Sequence, residues 1–308
     1  ESLNISKEIN DRMKESRALT QLGRIYYQRS NYTKALEYFF TSLNIDEELE
    51  YNQAMVHTLN HIGEIHIDLG ESQMALDYFQ RSLKYSDNMT NGYTFMHMGM
   101  AYRNLSDYVM ALEYFQKSID YFMNFIGDYV MLAKAQNQMA ETYYLQNNYS
   151  QSIKISKKSI ETFIILRHLL GFGSIPAYSY LIQAKCHINQ ANFLEAKTNI
   201  DSADKIANEL NNKSLKQELN SIYGDYYVKQ GLDDLAIEKY KESIDQADVI
   251  RNILEVESHK TSYMTKIIEV YKKLIVILIK QNKESEAFKY IEKMKARVLL
   301  DILHQDKK

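Results

Sequence analysis

A spacing pattern recurs along the chain and restricts the fold more than any other feature. Leu19, Leu22, Gly23 and Tyr26 are followed by Ala35 and Phe39. Leu59, Ile62, Gly63 and His66 are followed by Ala75 and Phe79, and Phe95, Met98, Gly99 and Tyr102 by Ala111 and Phe115. Each first group falls at i, i+3, i+4 and i+7, which is one face of an α-helix. The small residue and the aromatic that follow are i and i+4 on a second helix. Such a chain builds helical hairpins whose apolar faces only a neighbouring hairpin can bury. The central glycine admits the second helix closely. A larger residue at Ala35 or Ala111 should overpack that contact by about 1–3 kcal/mol.

The central small residue can be followed through Gly23, Gly63, Gly99, Ala140, Ala184 and Gly224 to a degenerate unit around Ile275, in steps of 40, 36, 41, 44, 40 and 51 residues. Repeat four keeps Ala140 and Tyr143 but has Ser152 and Ser156 at the second-helix positions. Repeat five has Ala184, His187, Ala196 and Ile200, and repeat six has Gly224, Tyr227, Ala236 and Tyr240. Polar clusters mark the turns: Arg29-Ser30-Asn31-Tyr32, Leu69-Gly70-Glu71-Ser72, Gln146-Asn147-Asn148-Tyr149 and Gln230-Gly231-Leu232-Asp233. One proline and ten glycines in 308 residues suit long helices with short connections. The single interruption runs from His168 to Ala177, with Gly171, Gly173 and Pro176. There Pro176 suits a first helical turn and Ser174 an N-cap. It reads as a long loop or a hinge.

The pattern resembles the tetratricopeptide repeat, with another large residue in place of its Trp. A minimal unit of that family is about 34 residues, so the surplus here belongs to longer helices or inter-repeat loops. The resemblance implies an all-α fold, a right-handed superhelix of about six to seven helix–turn–helix repeats, with residues 1–308 forming one solenoid. Families sharing the scaffold include bacterial regulators that bind short peptides, the sensor arrays of histidine kinases and kinesin light chains. Fold-level likeness does not choose among them.

The C-terminal run from Ala287 to Leu303 is more specific. Glu292, Lys295-Ala296-Arg297 and Leu299-Leu300-Asp301 resemble the segment that joins such repeats to a CHAT domain, of the caspase–separase group of cysteine proteases. The resemblance implies that the helix over 286–303 leads into a further C-terminal effector domain that packs on the last helices, and that any catalytic His and Cys lie outside this chain. The apolar stretch Ile267 to Lys280 fits a terminal repeat without the usual polar cap. The chain starts at Glu1 rather than methionine, which reads as a piece of something larger. The alternative is a stand-alone peptide-binding regulator or a sensor array.

Composition narrows the function classes. Hydrophobic residues at 45% and charged residues at 25% are globular values. One cysteine, Cys186, permits no intrachain disulfide, which fits a reducing, cytoplasmic setting. The apolar run Leu274 to Ile279 is too short to span a bilayer, so no membrane partner is expected. A net charge of −3 without a coherent basic stripe disfavours nucleic acid. Between Lys34 and Arg81 lie nine acids and no Lys or Arg, whereas His259 to Lys308 carries a local +6. The acidic stretch is either an attraction for a basic partner or a solvated helix face.

No catalytic constellation is legible, and neither a cofactor nor a metal is expected. His57, His61 and Glu64 share a face at zinc-compatible spacing. The register, however, turns His57 to the groove, His61 to an interhelical surface and His66 to the core. Cys186 and His187 diverge by about 100° on a helix, so they form no nucleophile–base pair. The site is instead expected on the inner wall, made by first-helix residues opposite the core: Arg24, Tyr27, Asn60, Glu64, Tyr93, Met100, Arg103, Lys134, Asn137, Glu141 and Tyr144. Asn60 and Asn137 carry amides that can grip an extended peptide backbone. The tyrosines and Met100 supply apolar anchors, and the charged residues set preference. The expected partner is a protein or peptide held in this groove.

Overall fold

A computed structural model describes residues 11–29, 31–86, 91–170, 173–253 and 257–305. Fourteen α-helices run through them, and no strand occurs among the described residues. They are α1 (Arg12–Gln28), α2 (Tyr32–Glu48), α3 (Asn52–Asp68), α4 (Ser72–Tyr85), α5 (Asn91–Asn104), α6 (Tyr108–Tyr121), α7 (Tyr129–Leu145), α8 (Tyr149–Leu170), α9 (Ile175–Asn189), α10 (Phe193–Glu209), α11 (Lys213–Lys229), α12 (Asp233–Ile253), α13 (Glu257–Lys280) and α14 (Glu284–Gln305). Odd-numbered helices are the first, and even-numbered the second, of the repeats counted in the sequence. A π-helical turn, Phe122–Ile126, follows α6 and takes up part of the long step to repeat four.

The chain forms two compact units, Glu1–Thr142 and Tyr143–Lys308. In unit 1, α1 packs on α2, α3 on α4 and α5 on α6, while α1 also touches α3 and α3 touches α5. In unit 2, α9 packs on α10, α11 on α12 and α13 on α14, with α9 touching α11. Each unit is therefore a stack of hairpins with its first helices side by side.

The recurring glycine has a direct steric cause. A Cβ on Gly23 would lie 2.6 Å from the Phe39 ring, and one on Gly63 would lie 2.4 Å from Phe79. Gly99 with Phe115 and Gly224 with Tyr240 repeat the arrangement. These rings are all but fully buried. Each fills the space left by its own glycine and also meets the next first helix: Phe39 stacks on His61 at 5.3 Å and Phe79 on His97 at 5.8 Å. Where Ala184 replaces Gly, the residue sixteen positions on shrinks to Ile200, and the two share one buried cluster. Small and large residues are thus complementary pair by pair. The degenerate last repeat keeps the buried Ala287 twelve positions after Ile275.

Two further contacts recur. Seven positions after the small residue of the second helix, a buried serine donates to a first-helix carbonyl of its own repeat. Ser42 reaches Ser16 at 3.0 Å, Ser82 reaches Val56 at 3.3 Å, Ser118 reaches Gly92 at 2.8 Å and Ser243 reaches Gln217 at 2.9 Å. Parallel ring pairs also join the two helices: Tyr26–Tyr38, His66–Tyr78 and Tyr102–Tyr114, at 5.3, 5.2 and 5.3 Å. Such contacts fix the hairpin angle beyond what apolar burial alone would do.

The turns follow the polar clusters. Asn31 caps α2 by accepting from the Lys34 amide at 3.2 Å, and Asn148 caps α8 by accepting from the Gln151 amide at 3.3 Å. Gly70 and Gly231 adopt φ of 80° and 75°, the left-handed geometry that ends a helix. Ser30 and Gly171 lie outside the described residues. Pro176 occupies the first turn of α9. Ser174 takes the N-cap position without a side-chain bond. At the far end, Val276, Ile279 and Phe288 are exposed. Arg297, Leu299, Leu300 and Asp301 lie on α14, and their side chains are outside the described set.

Candidate functional site

The expected groove residues fall into rows, counted from the central small residue of each first helix. His57, Tyr93 and Lys134 stand six before it. Asn60 and Asn137 stand three before it. Arg24, Glu64, Met100 and Glu141 stand one after it, and Tyr27, Arg103 and Tyr144 four after it. Arg24, His57, Tyr93 and Lys134 are exposed, while Tyr27, Glu64, Met100, Arg103, Glu141 and Tyr144 are half-buried. Asn60 and Asn137 differ from the rest, at 7% and 8% exposure.

The buried row has a packing cause. Neighbouring first helices touch, and the residue three before the centre points into that contact. Asn60 Nδ2 donates to Thr94 Oγ1 at 2.9 Å, and Thr94 Oγ1 donates back to Asn60 Oδ1 at 3.1 Å, so the amide links α3 to α5. Met96, at the same register in repeat three, is also buried. Asn60, expected to grip a peptide backbone, therefore sits inside the first-helix layer, Asn137 is buried as well, and the accessible surface is built by the other three rows.

In unit 1, the acids on that surface are engaged by neighbours. Asp68 accepts from the hydroxyls of Tyr27 at 3.0 Å and Tyr32 at 3.2 Å, joining repeats one and two. Asp128 accepts from the Tyr93 hydroxyl at 3.3 Å. Glu64 lies 3.1 Å from His61 Nδ1 and 3.4 Å from His97 Nε2. Burial alone would raise the Glu64 carboxyl. The His61 hydrogen bond, with His97 and Arg24 nearby, outweighs burial and lowers it. Burial pushes His97 down, against the pull of Glu64. It also pushes His57 down, helped by His61 and Arg24. Arg103 lies over the Phe115 ring at 5.8 Å and reaches the Gln138 carbonyl at 3.4 Å.

The acidic stretch between Lys34 and Arg81 is largely internal business as well. Asp46 is fully buried, with Ser16 donating to it. Glu47 pairs with Arg81 and Glu48 with Arg12, and Glu71 lies 2.6 Å from His66 Nδ1. The expected attraction for a basic partner loses most of its charge to these contacts.

Among the described residues, no group of three or more His, Cys, Asp and Glu is disposed to hold a metal ion. Cys186 is buried, with its thiol 3.3 Å from Ser152 Oγ. No helix among the described residues is long and apolar enough to cross a membrane.

Unit 2 carries a cavity of about 210 Å³ on its first-helix face, lined by Tyr144, Lys185, Ile188, Asn189, Asp225, Val228 and Lys229. Asn189 Nδ2 donates to the Tyr144 hydroxyl at 3.1 Å. Lys273 donates to both Asp225 oxygens at 2.8 Å, and the Tyr240 hydroxyl donates to Oδ1 at 2.7 Å. That carboxylate ties α11, α12 and α13 together. Of this cluster, the repeat register places Tyr144, Lys185, Asp225 and Val228 on the inner wall. Ile188 stands in the same row as Tyr144 and Val228, whereas Asn189 and Lys229 stand one position further on.

Comparison with known proteins agrees with the hairpin stack. The chain superposes on RapI in its apo form with a TM-score of 0.70 at 12% identity, covering 92% of this chain and 98% of that one. A Rap protein complexed with competence and sporulation factor matches with a TM-score of 0.65 at 13% identity, covering 96% and 77%. A tetratricopeptide repeat protein from Parabacteroides merdae ATCC 43184 gives 0.59 at 13% identity, covering 92% and 93%. No curated protein sequence matches the chain. The tetratricopeptide repeat family model matches residues 1–87 and 92–164, more than half of the sequence. With the glycine–aromatic hairpins observed in both units, this shows that the chain belongs to the tetratricopeptide repeat family.

Proposed function

We propose that this chain is a non-catalytic recognition scaffold that holds a protein or peptide on the first-helix face of unit 1. One observation carries the reading. Arg24, Tyr27, His57, Glu64, Tyr93, Met100, Arg103, Lys134 and Glu141 stay at least partly accessible on successive first helices, while the row between them is sealed. Accessible rings beside charged groups suit polypeptide binding. The factor bound to the Rap relative supports the reading by analogy of fold alone.

The test is a displayed random-peptide library panned over the immobilised chain. Enrichment should disappear with Tyr93→Ala plus Met100→Glu. It should survive Asp77→Lys, which changes an exposed second-helix residue. Equal loss with both variants, or no enrichment by the parent chain, would remove the reading.

The scaffold would work in the cytoplasm, as the regulatory part of a larger CHAT-type protease. The exposed apolar residues Val276, Ile279 and Phe288 in the last hairpin support a docked effector domain, as does the Lys295-Ala296-Arg297 run on α14. Sequencing the reading frame beyond Lys308 decides this. A following domain with a paired His and Cys supports it; a stop codon or a kinase domain refutes it.

A further inference from the structure

Resting on the reading that unit 1 takes a polypeptide, we propose that the occupant is an acidic, extended segment whose Asp and Glu side chains are received by Arg17, Arg24 and Lys134. The charge balance of the first-helix face points to this. Its carboxylates already have partners of the protein's own: Asp68 has two tyrosine hydroxyls, Asp128 has one, and Glu64 has two histidines. These partners at contact distance are tyrosine hydroxyls and imidazoles; Arg24 acts on Glu64 only at longer range, and Arg103 lies near Glu141.

The cations on the same face are left over. Arg17 stands six residues before Gly23, in the row of His57, Tyr93 and Lys134. Its contact among the described residues is with Tyr51, the guanidinium 5.9 Å from the ring centre and 3.1 Å from the hydroxyl, and its charge reaches the buried Asp46 at longer range. Among the described residues Arg24 hydrogen-bonds the Gln21 amide oxygen at 3.2 Å, with Glu64 near but beyond ion-pair distance. Lys134 is exposed. Among the described residues none of these three has a carboxylate within ion-pair distance.

The outermost row of unit 1 therefore reads Arg17, His57, Tyr93, Lys134 and contains no acid, although the chain as a whole carries −3. Cations on separate helices, with rings between, match carboxylates spaced along an extended polypeptide. A nucleic acid would need a denser phosphate track.

The experiment pans the displayed random-peptide library over the full chain and over Arg17→Glu/Arg24→Glu/Lys134→Glu, with circular dichroism to confirm equal helicity. Should the triple variant lose helicity, Lys134→Glu alone replaces it. The expected result is an excess of Asp and Glu in peptides enriched by the parent, lost or reversed in the variant. A synthetic enriched peptide should bind about tenfold more tightly than its Gln/Asn counterpart, and the advantage should shrink with added salt.

Neutral or basic peptides enriched by the parent would overturn the acidic preference and leave the polypeptide reading standing. No enrichment at all would remove both. Labelled oligouridylate binding as tightly as the acidic peptide, with the same loss in the variant, would also overturn the proposal.

Discussion

Adding one methyl group at Gly63 tests the packing logic of the whole array. A Cβ there would sit 2.4, 2.7 and 2.9 Å from three atoms of the Phe79 ring, all closer than real Cβ contacts come. The ring cannot retreat cheaply, because it is fully buried and stacked against His97 of the next hairpin at 5.8 Å. Overpacking of this kind costs about 1–3 kcal/mol. Alanine returns up to about 1 kcal/mol of helix propensity relative to glycine, so Gly63→Ala should lose up to about 2 kcal/mol net. The chain supplies its own compensation, since repeat five pairs Ala184 with Ile200. Gly63→Ala combined with Phe79→Ile should therefore recover most of the loss, whereas Phe79→Ile alone leaves a cavity over the glycine. Repeat stacks unfold in parts, so amide hydrogen exchange in α3 and α4 is the appropriate readout. Unchanged or greater protection in Gly63→Ala would refute the argument, as would a double variant no better than the sum of its parts.

Three further outcomes follow from individual contacts. Burial raises the Asp46 carboxyl, against the hydrogen bonds of Ser16 and Ser42 and the charge of Arg17. Its folded pKa thus exceeds the unfolded value near 3.8, and stability falls as pH climbs through that interval. Asp46→Asn should then stabilise unit 1 by about 1 kcal/mol at neutral pH and by nothing below the unfolded pKa, as measured by urea titration at the two pH values. Ser118→Ala removes the 2.8 Å bond to the Gly92 carbonyl and should cost about 0.5–1.5 kcal/mol, seen as faster exchange in α5 and α6. An acidic peptide should bind more tightly as pH drops below the ordinary histidine range near 6.5. His57, pushed down by burial, His61 and Arg24, then gains charge on the outer row; His97 across on α5 is likewise pushed down by burial, and Glu64 on α3, lowered below an ordinary carboxyl, stays ionised there. His57→Ala should flatten that rise in anisotropy titrations.

The hairpins were legible because their determinants are local. Gly23 and Phe39 are sixteen residues apart and belong to one repeat, so each glycine–aromatic pair could be read from spacing alone. The buried serines were equally periodic, at 42, 82, 118 and 243. A hydroxyl on a helix looks like surface until its constant distance from the core alanine is noticed. The binding face depends on a different kind of information. Whether the residue three before the centre faces a ligand or the adjacent helix is set by how closely successive first helices approach. That approach depends on residues such as Thr94, thirty-four positions from Asn60. The same holds for charge. Nine acids between Lys34 and Arg81 look like an attraction for cations in one dimension. Folding, though, brings Arg12, Arg81, His61, His66, His97 and the Tyr27 and Tyr32 hydroxyls to five of the acidic groups and buries a sixth, Asp46, while among the described residues Arg17, Arg24 and Lys134 have no carboxylate at ion-pair distance. Sequence periodicity thus predicts which surface a repeat protein offers. The sign of that surface emerges only after neighbouring repeats have neutralised one another.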